Sequence, residues 1–145
     1  MKETIVRDWM STQVISVAPE ASAAEAFTVM ANRHVRHLPV AAHGRLLGIL
    51  SLGDLRAVQA PSGVEFAEHI RAGVLMHEAV VTAQPDEKLA TAVERMLEHK
   101  VGCLPVVYEG KIVGILTESD VMRAYIAEHE RALAAPQPTS AAAKV

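Results

Sequence analysis

Aromatic side chains and cysteine are scarce in this sequence of 145 residues, and it has no excess of positive charge. Phe, Tyr and Trp together make up 3% of it, too few for a surface on which nucleic-acid bases stack. The formal net charge of −3 gives no general attraction toward nucleic acid or acidic membranes. Cys103 is the only cysteine; a lone thiol excludes an internal disulfide and fits a reducing cytoplasm. No apolar run approaches the roughly 20 residues that a membrane span needs, and Met1-Lys2-Glu3-Thr4 lacks the apolar core of a signal peptide. Missing too are a Gly-x-x-x-x-Gly-Lys-Ser/Thr loop, a Gly-x-Gly-x-x-Gly turn and a His-Glu-x-x-His pair. Nothing therefore predicts phosphate or hydride transfer, and the sequence reads as a non-enzyme.

What the sequence does have is a repeat. Pro39 and Pro105 are 66 residues apart, and so are Gly44 and Gly110, Gly48 and Gly114, and Asp54 and Asp120. The same offset carries Met10 to Met76, Val14 to Val80, Pro19 to Pro85, Met30 to Met96 and Val35 to Val101. No gap is needed between Met10 and Asp54. Two copies of one supersecondary unit, each of about 50 residues, are expected, and units that small bury little core alone. They should pack on each other.

In copy one, Ile5 to Met10 predicts a short leading helix, and Val14-Ile15-Ser16-Val17 a brief strand closed by Pro19. Ser22 and Glu25 have capping-box spacing, and Ala23, Ala26, Phe27, Met30 and Ala31 follow at helical intervals. Leu38-Pro39-Val40 opens a strand, His43-Gly44 turns the chain, and Leu46 to Leu50 returns. A second helix is expected from Leu55 toward Gln59. Copy two repeats the order: a helix capped by Asp86 through Leu89, Ala92, Val93, Met96 and Leu97, a hairpin turning at Glu109-Gly110, and a closing helix from Val121 to Arg131. The expected class is α/β (α+β), β-α-β-β-α twice, with copies over 5–60 and 74–131. Residues 61–73 form a linker with the breaker run Pro61-Ser62-Gly63 and a helical turn from Val64 to Ile70. Residues 132–145, rich in Ala, Pro, Ser and Thr, predict a disordered tail.

Each copy ends a strand at a hydroxyl residue followed three positions later by Asp: Ser51 with Asp54, and Thr117 with Asp120. At a strand-to-helix junction such residues share a face, near free backbone N–H groups. An ionised Asp only accepts, and its two oxygens can take two neighbouring hydroxyl protons, as from the cis-diol of a ribose. The plainer reading is a pair of helix caps, but the duplication inside a larger repeat favours a site.

These motifs in order, twice at one offset, resemble a tandem pair of cystathionine β-synthase (CBS) domains, a Bateman module, over residues 5 to 128. The resemblance implies two copies packed through their sheets with pseudo-twofold symmetry. It implies clefts between them that bind adenosine nucleotides (AMP, ADP or ATP), sometimes S-adenosylmethionine, as regulatory ligands, with no required cofactor. It assigns the ribose to Ser51 and Asp54 and to Thr117 and Asp120, of which Asp120 matches the family pattern more fully. The base would lie near Ser16 and Val17 and near Val81 and Thr82. Phosphates would meet basic residues at the Leu-Pro-Val strands, Leu38-Pro39 and Leu104-Pro105. Arg36 and His37 are the best phosphate candidates, since copy two offers only Lys100, Gly102 and Cys103 there. Which cleft receives that cluster stays open at this point.

His34 and His37 have i, i+3 spacing, but no third ligand clusters with them, so helix-end and strand-edge roles are expected rather than a metal. Cys103 reads as a buried structural thiol. Two functional classes remain: a nucleotide-sensing module that signals to a separate protein partner, or a structural dimerisation module with vestigial clefts. A homodimer is expected in either case.

Overall fold

A computed structural model describes residues 3–59 and 69–134. Copy one contains helix α1 (Ala23–Arg33), the hairpin β1 (His37–Ala42) and β2 (Arg45–Ser51), and the short helix α2 (Leu52–Arg56). Copy two follows a short helix α3 (Ala72–Leu75) with α4 (Leu89–His99), the hairpin β3 (Cys103–Tyr108) and β4 (Lys111–Thr117), and α5 (Glu118–Ala134).

The repeat recurs down to backbone details. His43 and Gly44 have φ of 54° and 79°, and Glu109 and Gly110 of 50° and 79°. Two positive φ values in a two-residue loop make the turn whose twist suits an antiparallel hairpin. Both hairpins carry a register shift at the same place, between Val40 and Ala41 and between Val106 and Val107. Both α1 and α4 end on a left-handed residue, His34 and Lys100.

The expected first strand of each copy shrinks to one residue. Val17 bridges Val40 in parallel, donating to the Pro39 carbonyl and accepting from Ala41 N–H; Ala83 does the same with Val106. The next ladder donor would be two residues on, where Pro19 and Pro85 have no N–H. Other boundaries also shift. The leading helix is a single 3-10 turn, Val6–Asp8, and α2 starts directly after Ser51 rather than at Leu55. The closing helix α5 continues through Ala134, so residues 132–134, expected in a tail, are helical. The linker turn expected from Val64 falls almost wholly outside the described residues, as does the rest of the tail.

The Ser22 capping box forms as predicted, with Glu25 N–H donating to Ser22 Oγ at 3.1 Å and Ser22 N–H to Glu25 Oε2 at 3.0 Å. Asp86 does not cap α4. It lies in the turn before the helix and pairs with Arg7 at 2.6 Å, while Lys88 occupies the cap position without a side-chain capping bond. The Leu89 N–H is satisfied instead by the Thr4 carbonyl, 2.9 Å away. Copy one uses the same device beside its box: Ala23 N–H donates to the Ile70 carbonyl at 2.9 Å.

Those two bonds reveal how the copies are joined. The lead-in of copy one reaches across to copy two, and that of copy two reaches back. Val6, fully buried, belongs to a core with Ala83, Leu89, Met96, Leu104, Val106 and Leu116. Ala72, also fully buried, belongs to the other core, with Met30, Leu38, Val40, Leu50 and Leu55. Past each core the lead-ins bridge a strand: Ser11 pairs with Ile115, and His77 with Ile49. There each crosses a glycine. A Cβ on Gly48 would lie 2.6 Å from Met76 Sδ and 2.9 Å from the His77 carbonyl oxygen. On Gly114 it would lie 2.7 Å from Met10 Sδ and 2.9 Å from the Ser11 carbonyl oxygen. Between these crossings β2 and β4 are in contact.

Candidate functional site

The exchanged lead-in brings His77 to the junction of copy one. Ser51 Oγ accepts from Asp54 N–H at 3.1 Å, and Asp54 Oδ2 accepts from Ser51 N–H at 2.8 Å. The other carboxylate oxygen, Oδ1, accepts from His77 Nε2 at 2.9 Å. Burial alone would raise the Asp54 pKa, but the bonds from Ser51 and His77 win and hold it below the ordinary carboxylate value. Asp54 is thus a charged acceptor whose side chain keeps 20% exposure.

The matching junction of copy two is more closed. Asp120 Oδ2 accepts from Thr117 N–H at 2.8 Å and from Thr117 Oγ1 at 2.9 Å. Arg123 donates to Oδ1, and the Asp120 side chain is only 6% exposed. Both pairs are therefore helix caps in this state, and both carry a further partner on the remaining oxygen.

The hairpin register decides where the basic cluster lies. His37 is paired directly with Ser51 across β1 and β2, and Leu52 N–H donates to the Arg36 carbonyl at 2.8 Å. Arg36 and His37 therefore sit at the same end of copy one as Ser51 and Asp54. From there a cleft of about 540 Å³ runs between the copies. Copy one contributes His37, Ile49 and Ser51 to its walls; Val80, Val81, Val101 and Pro105 give it an apolar side from copy two. A smaller pocket of about 320 Å³ adjoins it, sharing His37 and Ser51 and adding Arg36, Leu52, Gly53 and Arg56.

Not every residue singled out in the sequence reaches this cleft: Asp54, Thr117 and Asp120 are not among the residues that line it. Leu38, Pro39 and Leu104 are packed inside, Val17 is buried in the core of copy one, and Ser16 is exposed. Thr82 lines a separate depression with Val107 and Tyr108, and its carbonyl accepts from Arg95 at 2.9 Å. Sequence reasoning missed His77, Val80, Val101 and Arg56. The 66-residue offset held a signal for the first, since it maps His77 onto Ser11, but only the crossing of the lead-ins brings either residue to the opposite copy.

Burial holds the His37 pKa below its ordinary value, against the pull of Glu118 and Asp54 and with help from Arg36. Cys103, on the cleft wall, has its pKa pushed up to about 11 by burial and by Glu118, so near neutral pH it is a protonated, inert thiol. Among the described residues no three His, Cys, Asp or Glu side chains gather as a metal site would need, and no helix is long and apolar enough to cross a membrane.

The family whose sequence pattern matches is the CBS domain, over residues 6–60 and again over 70–127. Among solved structures, AcuB of Vibrio cholerae is 30% identical, with 94% of this chain and 100% of that one covered at a TM-score of 0.82. The CBS domain pair of MJ0100, solved with 5′-methylthioadenosine and S-adenosyl-L-methionine, is 26% identical over 88% of this chain and 99% of its own, at 0.77. CBSX2, a protein of Arabidopsis thaliana, solved in complex with AMP, is 29% identical over 87% and 98%, also at 0.77. The first curated relatives are longer: the chain spans 46% and 42% of the two that match first.

Proposed function

Because this chain belongs to the CBS domain family and carries the domain twice, we propose that it is a regulatory, non-catalytic module that binds an adenosine nucleotide between its copies. The observation that carries this reading is the cleft of about 540 Å³, apolar along one side and lined on the other by His37, Ser51 and His77, the last of which holds Asp54. The base would lie against Val80, Val81 and Val101, the ribose diol would meet Asp54, and the phosphates would reach His37 and Arg36. His77 holds the oxygen that a ribose hydroxyl would take, so binding exchanges one donor for another and costs Asp54 no net bond. MJ0100 and CBSX2, with their adenosine ligands, support the ligand class. The family pattern puts the greater weight on Asp120, but the exposure of the two carboxylates favours Asp54.

Calorimetric titration with AMP, ADP, ATP and S-adenosylmethionine tests the reading. A ligand bound only by the native state adds about 2.7 kcal/mol at one hundred times its Kd, visible as a raised Tm. Asp54→Ala should weaken binding about tenfold or more, at a cost of about 1 kcal/mol in stability from the lost cap. Unchanged affinity in this variant, with the same stability loss, would leave Asp54 as a cap only.

Signalling then requires a surface that another protein reads, because a ligand shifts an equilibrium only by its difference in affinity between states. A second copy of the chain is the first partner we propose. Leu97 of α4 and Met122, Tyr125 and Ile126 of α5 are 74%, 62%, 70% and 55% exposed. Such a patch suits a twofold contact. Sedimentation should give a dimer, and a species of 15.6 kDa alone at tens of micromolar would exclude it. The structural alternative, a dimerisation module with unused clefts, is favoured by the tight closure of Asp120, and the titration separates the two.

A further inference from the structure

At the pocket beside the cleft the two copies differ in chemistry. In copy one it is lined by Arg36, His37, Ser51, Leu52, Gly53 and Arg56. Gly53 and Arg56 are three apart on α2 and so share a face. With no side chain on Gly53 the floor is open: a Cβ built there would meet nothing nearer than Ser51 Oγ, 3.7 Å away. Four other arginines, Arg7, Arg95, Arg123 and Arg131, are each paired with a carboxylate. Like Arg33, Arg45 and Arg71, Arg36 and Arg56 have no carboxylate partner among the described residues, and together these two line one pocket.

The repeat supplies an internal control. At the 66-residue offset Arg36 becomes Gly102, Leu52 becomes Glu118, Gly53 becomes Ser119 and Arg56 becomes Met122. The equivalent place in copy two is a mostly apolar groove in which Gly102, Glu118 and Met122 stand beside Val93, Leu97 and Val121, with Lys100 as its one cation. Both guanidiniums are gone and a carboxylate has entered. Packing of the repeat therefore does not require arginine at either position.

The geometry points to an oligophosphate pocket formed by Arg36 and Arg56, which makes the copy-one cleft select nucleosides bearing two or more phosphates. This inference rests on the nucleotide reading above and extends it. A first phosphate would reach His37 and Arg36 at the shared wall, and Arg56, farther out along α2, would meet the next. Two forked guanidiniums can each take a phosphate in bidentate fashion. Adenosine or S-adenosylmethionine would leave Arg56 unused.

The experiment is a calorimetric comparison of adenosine, AMP, ADP, ATP and inorganic tripolyphosphate, on the full chain and on Arg56→Gln and Arg56→Lys. Arg56 is exposed and has no carboxylate partner among the described residues, so both variants should fold, which melting curves check. The expected result is affinity rising with phosphate number. Arg56→Gln should lose about tenfold for ADP and ATP and little for adenosine and AMP, and Arg56→Lys should fall between. Affinities independent of phosphate number, or a loss in Arg56→Gln equal for every ligand, would overturn the inference while leaving the nucleotide reading intact. Binding of tripolyphosphate that depends on Arg56, with no binding of any adenosine compound, would uphold the pocket and sink the nucleotide reading. No binding of any of these compounds would overturn both.

Discussion

Asp54 and His37 lie at the same end of copy one, close enough that the carboxylate acts on the imidazole, and acid acts on both. His37 has its pKa lowered from the ordinary 6.5, chiefly by burial, so as pH falls the unfolded chain takes up that proton first. The resulting stability is full above about pH 6.5 and declines below it, levelling off once the folded imidazole is also charged. Asp54 is lowered from 3.8. Its contribution is present above that value and is lost only as pH falls through the folded value, in a separate and more acidic window. Thermal melts between pH 8 and 5 should show the first decline, and His37→Gln should flatten it while leaving the deeper acid transition in place. A His37→Gln curve parallel to the parent's would assign the decline to another group.

Some of these residue roles could be read beforehand and others could not. The pairing of Ser51 with Asp54 and of Thr117 with Asp120 is local, three positions within one junction, so spacing alone gave it away. The bond from His77 to Asp54 spans 23 positions and depends on which strand a lead-in crosses, which spacing does not encode. Arg56 went unnoticed because a charged residue at a helix end usually means only a solvated face. It gains meaning from the pocket it shares with Arg36 and from the methionine that replaces it one repeat later.

Among the elements, those with strong local chemistry matched expectation and those defined by remote partners did not. The hairpins follow from their Gly-containing turns, and α1 from its Ser22/Glu25 box. The first strands failed because Pro19 and Pro85 end a ladder that β-prone residues begin. The Asp86 cap failed because a backbone carbonyl from Thr4, far off in sequence, already serves the start of α4. Gly48 and Gly114 gave a period but not its cause, the passage of a lead-in over each α-carbon. Gly48→Ala would drive a methyl group into Met76 and the His77 carbonyl. We expect a loss of about 1–3 kcal/mol, as for other overpacked sites, read as a lower midpoint in a urea melt with unchanged slope. Gly114→Ala should cost a similar amount, since its surroundings are matched contact for contact. A neutral result at either position would mean that the crossing is looser than the distances show.

The exchanged lead-ins predict that the two copies unfold as one cooperative unit. Each core lacks a piece supplied by the other copy: Val6 completes the second and Ala72 the first. Residues 1–60 expressed alone hold the core of copy one without Ala72, Leu75 and Met76, and should give no stable fold by NMR. A stably folded monomer from that fragment would contradict the exchange of lead-ins.

The same exchange makes the protein divisible in an unusual way. A chain severed between Gln59 and His69 gives two fragments, each keeping its own hairpin and carrying the segment that the other lacks. Neither can finish itself, and each can finish the other. Mixed in solution, the fragments should recover a structured complex that neither forms alone, with apolar burial as the driving force. A protease that nicks the joining segment would then leave the pair assembled. Tethered to the halves of a split reporter, the fragments would serve as a matched adaptor whose reassembly registers any ligand bound between the copies.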